Sequence, residues 1–437
     1  MISQVVAGLA AGSLFLRSVA AQSCASPLTP VAEPVMADGY EARLIMNGLS
    51  SPRHLVVDAA GNLLVAERGG TGIRRVVLNE AEDGEVCVES SSQLIPDPSL
   101  NHGIALTPDG STLFVSKLSS VDAYPYDASA GTVGEKKTVI SGMVNGGHTT
   151  RTLTIPVTAP DVLLVSRGSD GNIDNATTET STARSIIKSF NVTELLEATE
   201  PVDYAAGGEI LGWGLRNSVG VAEDPSTGGI WSVENSADNV HRGSVDIHSE
   251  NPAEEMNYHG VAGNATNDLM GANYGYPVCF AAWDISIIPE NDAITVGSQF
   301  GGVDGTPFQE VSSASALTEI DEFCRTKRQG PRLAFPSHTA PLDIRFREDG
   351  SAAYVAFHGS WNRSPPDGYR LGRIEFSNGQ PVAEVSDKNA VTYVMQNRDN
   401  SQCPGNCFRP TGLTFDSKGR LFMTSDATGE LFVITGA

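Results

Sequence analysis

The chain has few long apolar stretches, and only the first suggests a membrane-directed segment. Its apolar run over residues 5–16 is followed by Ser18-Val19-Ala20-Ala21, small residues of the kind at which signal peptidase cleaves. The run is shorter than the roughly 20 residues that a bilayer-spanning helix needs, and Arg17 interrupts it. We therefore predict a secretory signal peptide over residues 1–21, a secreted protein with one domain over residues 22–437, and no membrane partner.

Positive charge is also scarce. The chain has 29 Lys and Arg against 52 Asp and Glu, which gives a formal net charge of -23. Nucleic acids and anionic membranes both attract clustered Lys and Arg. The composition therefore argues against nucleic acid and against an anionic membrane surface as partners.

Cysteine is infrequent, but its number is even. The six residues are Cys24, Cys87, Cys279, Cys324, Cys403 and Cys407. In an oxidising compartment they predict up to three disulfides, with a connectivity that spacing does not fix. Cys403 and Cys407 flank a Pro-Gly-Asn loop and are the easiest pair to close; the rival hypothesis, a zinc site, lacks a matching second pair. Sequons at Asn175, Asn191 and Asn264 predict glycosylation.

Helical periodicity is nearly absent, and only residues 192–199 predict a helix, which is short. The chain instead has 45 Gly and 24 Pro, with short β-branched runs bounded by turn dipeptides. This pattern predicts an all-β fold.

One sequence unit recurs six times. Each copy is an apolar strand, a turn, a second apolar strand and a polar tip, and the turns use Asp-Gly, Gly-Asn, Gly-Gly or Lys-Gly. The copies cover residues 53–68, 101–117, 148–167, 217–235, 340–359 and 409–426. One hairpin cannot bury both of its faces, so the copies must stack, and we predict a six-bladed β-propeller. A β-sandwich is the weaker alternative, and the long gap between residues 235 and 340 predicts an insertion on the binding face.

The repeats also predict a group of cationic side chains at the central channel. If the first strand of each unit is innermost, its leading residue and the tip of the second strand meet at one mouth. The residues there are Arg53, His54, Asn101, His102, His148, Arg216, Asn217, Arg409, Arg68, Lys117, Arg167, Asn235 and His358. Like charges repel unless an anion binds among them, and guanidinium groups suit carboxylates. The pattern predicts a small polycarboxylate ligand in the channel.

Five motifs carry a family resemblance over residues 40–436. They are Gly146-Gly147-His148, Gly214-Leu-Arg216-Asn217 with Gly220, Asn273-Tyr-Gly-Tyr-Pro277, His358-Gly-Ser-Trp-Asn-Arg363-Ser-Pro-Pro366 and Arg409-Pro410-Thr-Gly412. In this order and on six blades, they make the chain resemble the quinoprotein family of soluble glucose and sorbosone dehydrogenases. The resemblance is strongest to the fungal pyranose dehydrogenases that use pyrroloquinoline quinone (PQQ).

The resemblance implies a cofactor, a reaction and a set of site residues. PQQ, a planar tricarboxylate, would accept hydride from C1 of a pyranose or aldose, with His148 as general base and Arg216 beside the reactive carbonyl. The implied cofactor contacts are Arg68, Arg216, Asn217, His358, Trp361, Asn362, Arg363 and Arg409. A calcium ion on the quinone would take backbone carbonyl ligands from the turn of Gly275, Tyr276 and Pro277. Electrons would pass to a separate acceptor such as a cytochrome domain protein.

Two other functions fit a propeller of this size. A calcium-dependent lactonase needs metal-binding carboxylates in the channel, where the predicted inner positions offer only Glu67, Glu234 and Asp426. A non-catalytic propeller would bind a protein or glycan on its face. Absorbance separates these alternatives, because a bound quinone colours the protein.

Overall fold

The computed structural model describes residue 24 and residues 28–81, 84–264, 266–306 and 317–436. The predicted signal peptide, residues 1–21, lies outside these described residues. Within them the main sheets are arranged around a central channel as the blades of a six-bladed β-propeller. The predicted all-β fold class is confirmed. None of the helices in the described ranges has the length and apolar character to cross a membrane.

Each of the six repeated units forms the two inner strands of one blade, and two outer strands complete the blade. Blade 1 consists of Pro52–Val57, Leu63–Glu67, Gly72–Glu80 and Val86–Ile95; blade 2 of Leu100–Leu106, Thr112–Lys117, Val121–Asp127 and Lys137–Ser141; blade 3 of Leu153–Thr154, Val162–Arg167, Ile186–Asn191 and Glu209–Trp213. Blade 4 consists of Ser218–Asp224, Gly229–Glu234, Glu254–Val261 and Leu333–Phe335; blade 5 of Pro341–Phe346, Ala352–Phe357, Arg370–Ser377 and Thr392–Asn397; blade 6 of Pro410–Phe415, Leu421–Ser425, Glu430–Thr435 and Glu41–Met46. The repeat in the sequence is therefore the repeat of the fold.

Short edge strands, two small hairpins and short helices are added to the six blades. Edge strands are Pro34–Met36 and Gln380–Pro381 on blade 5, Thr132–Val133 and Val202–Asp203 on blade 2, and Ala272–Asn273 on blade 3. Two small hairpins pair His241–Arg242 with Val245–Asp246 and Phe280–Ala281 with Gln299–Phe300. The α-helices are Val192–Glu197 and Leu317–Lys327, and the 3-10 helices are Asn175–Thr178, Thr180–Thr182, Ile285–Ile287 and Asn400–Gln402.

The ring is closed by a strand from the start of the domain. Glu41–Met46 pairs antiparallel with Glu430–Thr435 and so becomes the outer strand of the last blade. Six apolar clusters fill the six interfaces between neighbouring blades. Because every blade buries one face against each neighbour, the ring holds the inner strands in fixed positions around the channel.

The predicted insertion is present, and it interrupts blade 4. It occupies residues 235–253 and 262–332, and its helix Leu317–Lys327 was not predicted. Its apolar residues Leu317, Ile320 and Cys324 have helical spacing, but the helix is only 11 residues long and lies outside the repeated units on which the prediction was built. Disulfides join Cys24 to Cys87, Cys279 to Cys324 and Cys403 to Cys407, the last being the pair that spacing favoured.

Candidate active site

A cavity of about 300 Å³ lies at the end of the channel where the inner strands begin. Its lining is polar and comes from blades 3 to 6 and from the start of the insertion. The lining residues are His148, Arg216, Asn217, Asn235, Ser236, Asp238, Glu254, His338, Ala340, Leu342, His358, Gly359, Trp361 and Arg409. The structure thus brings together six of the predicted site residues, which come from four of the five sequence motifs.

A larger cavity of about 490 Å³ opens at the opposite end of the channel. Its lining is mainly apolar, with Arg345 as its one arginine in the described part of the chain. The chemistry expected of the site is therefore concentrated at the smaller cavity.

His148 is held as a neutral base. Its Nδ1 lies 2.9 Å from Ser169 Oγ and 3.2 Å from the Ser169 carbonyl oxygen. Ser169 Oγ donates its own hydrogen to the carbonyl of Gly171, at 2.7 Å, so both Ser169 oxygens accept from His148 and Nδ1 carries the proton. Nε2 is therefore the basic nitrogen. Burial, followed by the charge of Arg216, lowers the pKa of His148 to about 3, so the ring is neutral near neutral pH.

The loop that carries His148 is packed by a side chain that the sequence did not single out. Arg151 is fully buried, and its guanidinium donates to the carbonyls of His148 (2.9 Å) and Met143 (2.6 Å). We expected His148 to open the inner strand of blade 3. It instead precedes the strand Leu153–Thr154, because these bonds fold the intervening residues into a loop. A Cβ at Gly168 would lie 2.7 Å from Asn217 Oδ1 and 2.8 Å from His148 Cβ, so this close approach requires glycine.

Arg216 is held from three sides. Its Nε donates to the Asn172 carbonyl (3.0 Å), its Nη1 to the Asn235 carbonyl (3.0 Å), and its Nη2 to Asn172 Oδ1 (2.9 Å) and Asp238 Oδ2 (3.2 Å). A guanidinium has five N–H groups, so one on Nη1 remains for a ligand. The adjacent Asn217 amide lies 3.4 Å from the Asn235 side-chain oxygen. A fixed positive charge thus faces the cavity beside His148.

A second cationic group lies on the opposite wall. Arg409 donates from Nη2 to His358 Nδ1 (3.0 Å) and from Nε to the His358 carbonyl (3.1 Å). His358 Nε2 then donates to Asp426 at 2.8 Å, and Asp426 also accepts from Arg53 at 3.0 Å. Burial raises the pKa of Asp426, but the contacts with His358 and the two arginines outweigh it and hold that pKa far below its ordinary value. Asp426 is therefore an anion that orients this wall.

Three predicted cofactor contacts do not line the cavity. Arg68 is exposed near Arg53 at the channel mouth, and its side chain has no hydrogen-bond or ion-pair partner among the described residues. Arg363 is engaged by Glu250, at 2.8 Å, and by a backbone carbonyl. Asn362 lies beside Trp361, which lines the cavity and is 70% exposed. Arg68, Asn362 and Arg363 stay predictions for the rim rather than the wall.

Other residues expected at the channel mouth are bound to neighbouring protein groups instead. Lys117 forms ion pairs with Asp97 (2.8 Å) and Asp122 (2.9 Å), and Arg167 donates to backbone carbonyls. Asn101 likewise donates to a backbone carbonyl. Lys117 and Arg167 are therefore corrected from ligand contacts to structural partners within or next to their own blades.

Three further residues of the expected group lie deeper in the channel. Arg53 donates from Nε to His102 Nδ1 at 3.2 Å, and the rings of His54 and His102 are 4.0 Å apart. His54 Nε2 lies 3.4 Å from the buried carboxylate of Asp343. These side chains form the interior of the channel, outside the lining of the cavity.

The turn predicted to bind calcium lies behind the cavity. Gly275, Tyr276 and Pro277 are absent from the lining. The Gly275 carbonyl accepts from two backbone amides of the same turn, at 3.0 and 2.9 Å. Gly275, Tyr276 and Pro277 stay predictions as calcium ligands. The Tyr276 hydroxyl donates to the Asn172 carbonyl at 3.1 Å, behind Arg216. The described residues contain no group of three or more His, Cys, Asp or Glu arranged for a metal ion.

The site residues predicted from the sequence did not include Asp238, Glu254 or His338, which form the fourth side of the cavity. His338 Nδ1 lies 3.4 Å from Asp238, and Glu254 accepts from the backbone amides of Ser236 (2.7 Å) and Ala340 (3.1 Å). Burial raises the pKa of Glu254 to about 7. His338 could have been predicted from its position in the repeat, because it precedes an inner strand just as Arg216 and Arg409 do.

Comparison with known proteins places this site in a family. A family model described as TrAA12-like matches residues 34–437. The chain belongs to the TrAA12-like family. A curated relative, the PQQ-dependent sugar dehydrogenase of Hypocrea jecorina, is 42% identical over 422 residues, which cover 95% of this chain and 93% of that protein.

Solved structures of similar proteins share the fold of this TrAA12-like chain. The calcium structure of a Trichoderma reesei enzyme of carbohydrate-active family AA12 is 43% identical with a TM-score of 0.87, and the match covers 94% of this chain and 98% of that one. The holo form of the PQQ domain of a Coprinopsis cinerea pyranose dehydrogenase is 34% identical with a TM-score of 0.85, over 94% of this chain and 99% of that one. The resemblance inferred from the motifs is confirmed.

Proposed function

We propose that this protein is a secreted PQQ-dependent dehydrogenase that oxidises a pyranose or aldose at C1 and passes electrons to an external acceptor. The observation that carries the proposal is the pairing, in one cavity, of a neutral His148 whose Nε2 is unprotonated with the fixed cation of Arg216. The names of the two PQQ-dependent relatives support it.

The cavity suits a flat polyanion. Arg216 keeps one N–H uncommitted, and Arg409 keeps its Nη1 without a partner among the described residues. Arg68 adds an unpaired guanidinium near the mouth, and the indole of Trp361 is exposed at the rim. Guanidinium groups on two walls can meet separate carboxylates of one planar ligand. PQQ has this shape and charge, so we assign Arg216 and Arg409 as its principal contacts, with Arg68, Asn217, His358, Trp361, Asn362 and Arg363 around them.

His148 then acts as the general base. Its Nε2 accepts the proton of the anomeric hydroxyl of the sugar, while the C1–H bond breaks with its electron pair and a C1=O bond forms. The bound quinone supplies the hydride acceptor for this step. The low pKa of His148 keeps Nε2 available over most of the pH range, and the hydrogen bond from Nδ1 to Ser169 fixes the ring toward the cavity.

Arg216 supplies the electrostatic part of the mechanism. Its four hydrogen bonds to the protein hold the charge in place before the reaction, so little reorganisation is needed when negative charge develops on the ligand. Asn217 packs beside it against Gly168 and the His148 loop. We expect the base and the cation to keep their relative position through turnover.

Calcium is part of the proposal as an ion bound together with the quinone. A similar enzyme has been solved as a calcium structure. Calcium prefers hard oxygen ligands, including backbone carbonyls, and can act as a Lewis acid. We keep Gly275, Tyr276 and Pro277 as candidate carbonyl ligands.

The test is sugar-driven reduction of a dye by protein loaded with PQQ and calcium, using a panel of aldoses, with identification of the product. Dye reduction with conversion of the aldose to its lactone would support the proposal. Hydrolysis of added lactones without dye reduction would replace it with the lactonase, and neither activity would leave a binding propeller.

A further inference from the structure

His338 lies in the cavity wall in a strained backbone conformation. Its φ is 62°, in the left-handed region that non-glycine residues rarely adopt, and its side chain is buried. It precedes the inner strand Pro341–Phe346 of blade 5. Such strain persists only where the surrounding structure fixes it, and it concentrates at functional sites.

Both ring nitrogens of His338 face acceptors. Nε2 lies 2.5 Å from the carbonyl oxygen of His248, and Nδ1 lies 3.4 Å from Asp238 Oδ1. Neither a carbonyl nor a carboxylate can donate a hydrogen. A proton on each nitrogen satisfies both contacts, so the geometry favours the imidazolium form of His338.

Asp238 connects this imidazolium to Arg216. One carboxylate oxygen faces His338, and the other accepts from Arg216 Nη2 at 3.2 Å. The side chains thus form an alternating chain of cation, anion and cation. Each of the three also lines the cavity.

We propose that His338 is a positioning residue that holds Asp238 against Arg216 and so keeps the Arg216 guanidinium in one orientation toward the bound anion. This inference rests on the proposed function, because the anion is the quinone. His338 lines the cavity, but both of its ring nitrogens face protein acceptors and leave no N–H for the quinone, so its polar effect on the quinone passes through Asp238 and Arg216.

The charges around His338 determine how the chain of Arg216, Asp238 and His338 responds to pH. Burial lowers the pKa of His338, but its surroundings outweigh burial and raise that pKa above 6.5. The groups that face it or lie next to those that do are Asp238, Glu254, His248, Arg216 and Arg363. A raised pKa means that the imidazolium is present below it and is lost as pH rises through it. Quinone affinity should therefore fall on the alkaline side.

Two substitutions separate positioning from packing. In His338→Asn, the asparagine amide can donate to Asp238, does not titrate and tolerates a left-handed backbone. In His338→Leu, the leucine fills space but cannot donate a hydrogen bond. His241→Asn is the matched control, because His241 is exposed and lies outside the cavity lining. The measurement is the Kd for PQQ with calcium, followed by absorbance at several pH values on both sides of neutrality.

We expect wild type and His241→Asn to lose affinity at alkaline pH. His338→Leu should bind roughly tenfold more weakly at neutral pH, as loss of a supporting partner commonly does. His338→Asn should bind like wild type with a smaller alkaline loss, because Glu254 still ionises in the cavity. Wild-type affinity in His338→Leu, or an unchanged pH dependence in His338→Asn, would overturn the inference.

A second readout uses the protein without quinone and so separates this inference from the proposed function. Histidine NMR should show His338 titrating above 6.5, with a lower pKa in Asp238→Asn. A titration unaffected by Asp238→Asn would reject the positioning role even if PQQ binds. Failure of wild type to bind PQQ would instead reject the proposed function, and the NMR result would then decide whether the three-residue chain exists.

Discussion

At the scale of single residues, the direction of one hydrogen bond decides the chemistry of the cavity. Ser169 Oγ donates to Gly171, so it accepts from His148 and leaves Nε2 of that ring as a base. Had the hydroxyl donated to His148 instead, Nε2 would carry the hydrogen and could not take a proton. The serine thus performs the orienting role that a carboxylate often performs for a catalytic histidine.

Replacing His148 tests this assignment. His148→Ala should bind PQQ with nearly wild-type affinity, because the expected carboxylate contacts are arginines, but should lose at least roughly 100-fold in kcat, since the proton acceptor is gone. Kd by absorbance and steady-state dye reduction measure the two quantities separately.

The matched control is His241→Ala, which removes an exposed histidine outside the cavity lining and should leave both quantities unchanged. Wild-type turnover in His148→Ala would remove this histidine from the mechanism.

At the scale of elements, the inserted turn behind the cavity supports Arg216 from a distance. The Tyr276 hydroxyl accepts from the amide of Asp174 at 2.6 Å and donates to the carbonyl of Asn172, the residue that holds the Arg216 guanidinium. Cys279 closes the same turn and is tied to helix Leu317–Lys327 by a disulfide. The insertion therefore stabilises the site without lining all of it.

Two disulfides of similar span separate this local effect from general stability. Cys279 and Cys324 are 45 residues apart, and Cys24 and Cys87 are 63 apart, so removing either bond should cost a similar free energy of unfolding, about 2–4 kcal/mol. We expect Cys279→Ser with Cys324→Ser to weaken PQQ binding several-fold, because the turn behind Asn172 loosens. Cys24→Ser with Cys87→Ser should lower Tm without changing Kd, and equal effects of the two pairs on Kd would contradict this account.

The elements also show which parts of the fold a sequence can predict. All six hairpins were predictable, because each consists of two short apolar strands joined by a tight turn. Five of the turns contain a glycine with positive φ, namely Gly61, Gly110, Gly228, Gly350 and Gly419. Helix Leu317–Lys327 was not predicted, since it is short and lies in the insertion, where no repeat marks it. The loop before Leu153–Thr154 was misassigned as strand because its shape depends on Arg151, whose contacts are tertiary.

At the scale of the whole molecule, the site is a balance of charges rather than a ring of cations. The sequence indicated Arg216, Asn217, His358 and Arg409 because each lies beside an inner or second strand of its blade. It did not indicate Asp238 or Glu254, which come from the insertion and its return strand, where no repeat marks the position. Predicting that half of the site requires knowing which way the insertion folds.

Buried acids also set the pH dependence of stability. Burial raises the pKa of Glu254 and of Glu255 from 4.5 to about 7. A raised carboxyl pKa means that the folded state holds protons the unfolded state has released. The stabilising contribution of these carboxyls is complete below 4.5 and is lost as pH rises toward 7. Buried histidines with lowered pKa values, such as His148 and His259, contribute in the opposite direction over the same interval, so the carboxyl effect is seen in the difference between wild type and a carboxyl variant.

Thermal unfolding of the apoprotein measures this effect. Glu255→Gln removes the contribution of one carboxyl, because its amide does not titrate and can keep a contact with Asn257. The Tm difference, wild type minus Glu255→Gln, should fall by at least about 2 °C between pH 4.5 and pH 7. A difference that is constant or rises over this interval would contradict the assignment of this carboxyl.

The central claim is that the cavity between Arg216 and Arg409 binds PQQ for a reaction at His148, and its most direct test is a titration. Metal-stripped protein is titrated with PQQ in the presence and absence of calcium and followed by absorbance, and an aldose is then added. We predict saturable, calcium-dependent binding at one site and a spectral change on addition of the sugar. No binding at roughly micromolar quinone would contradict the account and leave the lactonase or the non-catalytic propeller.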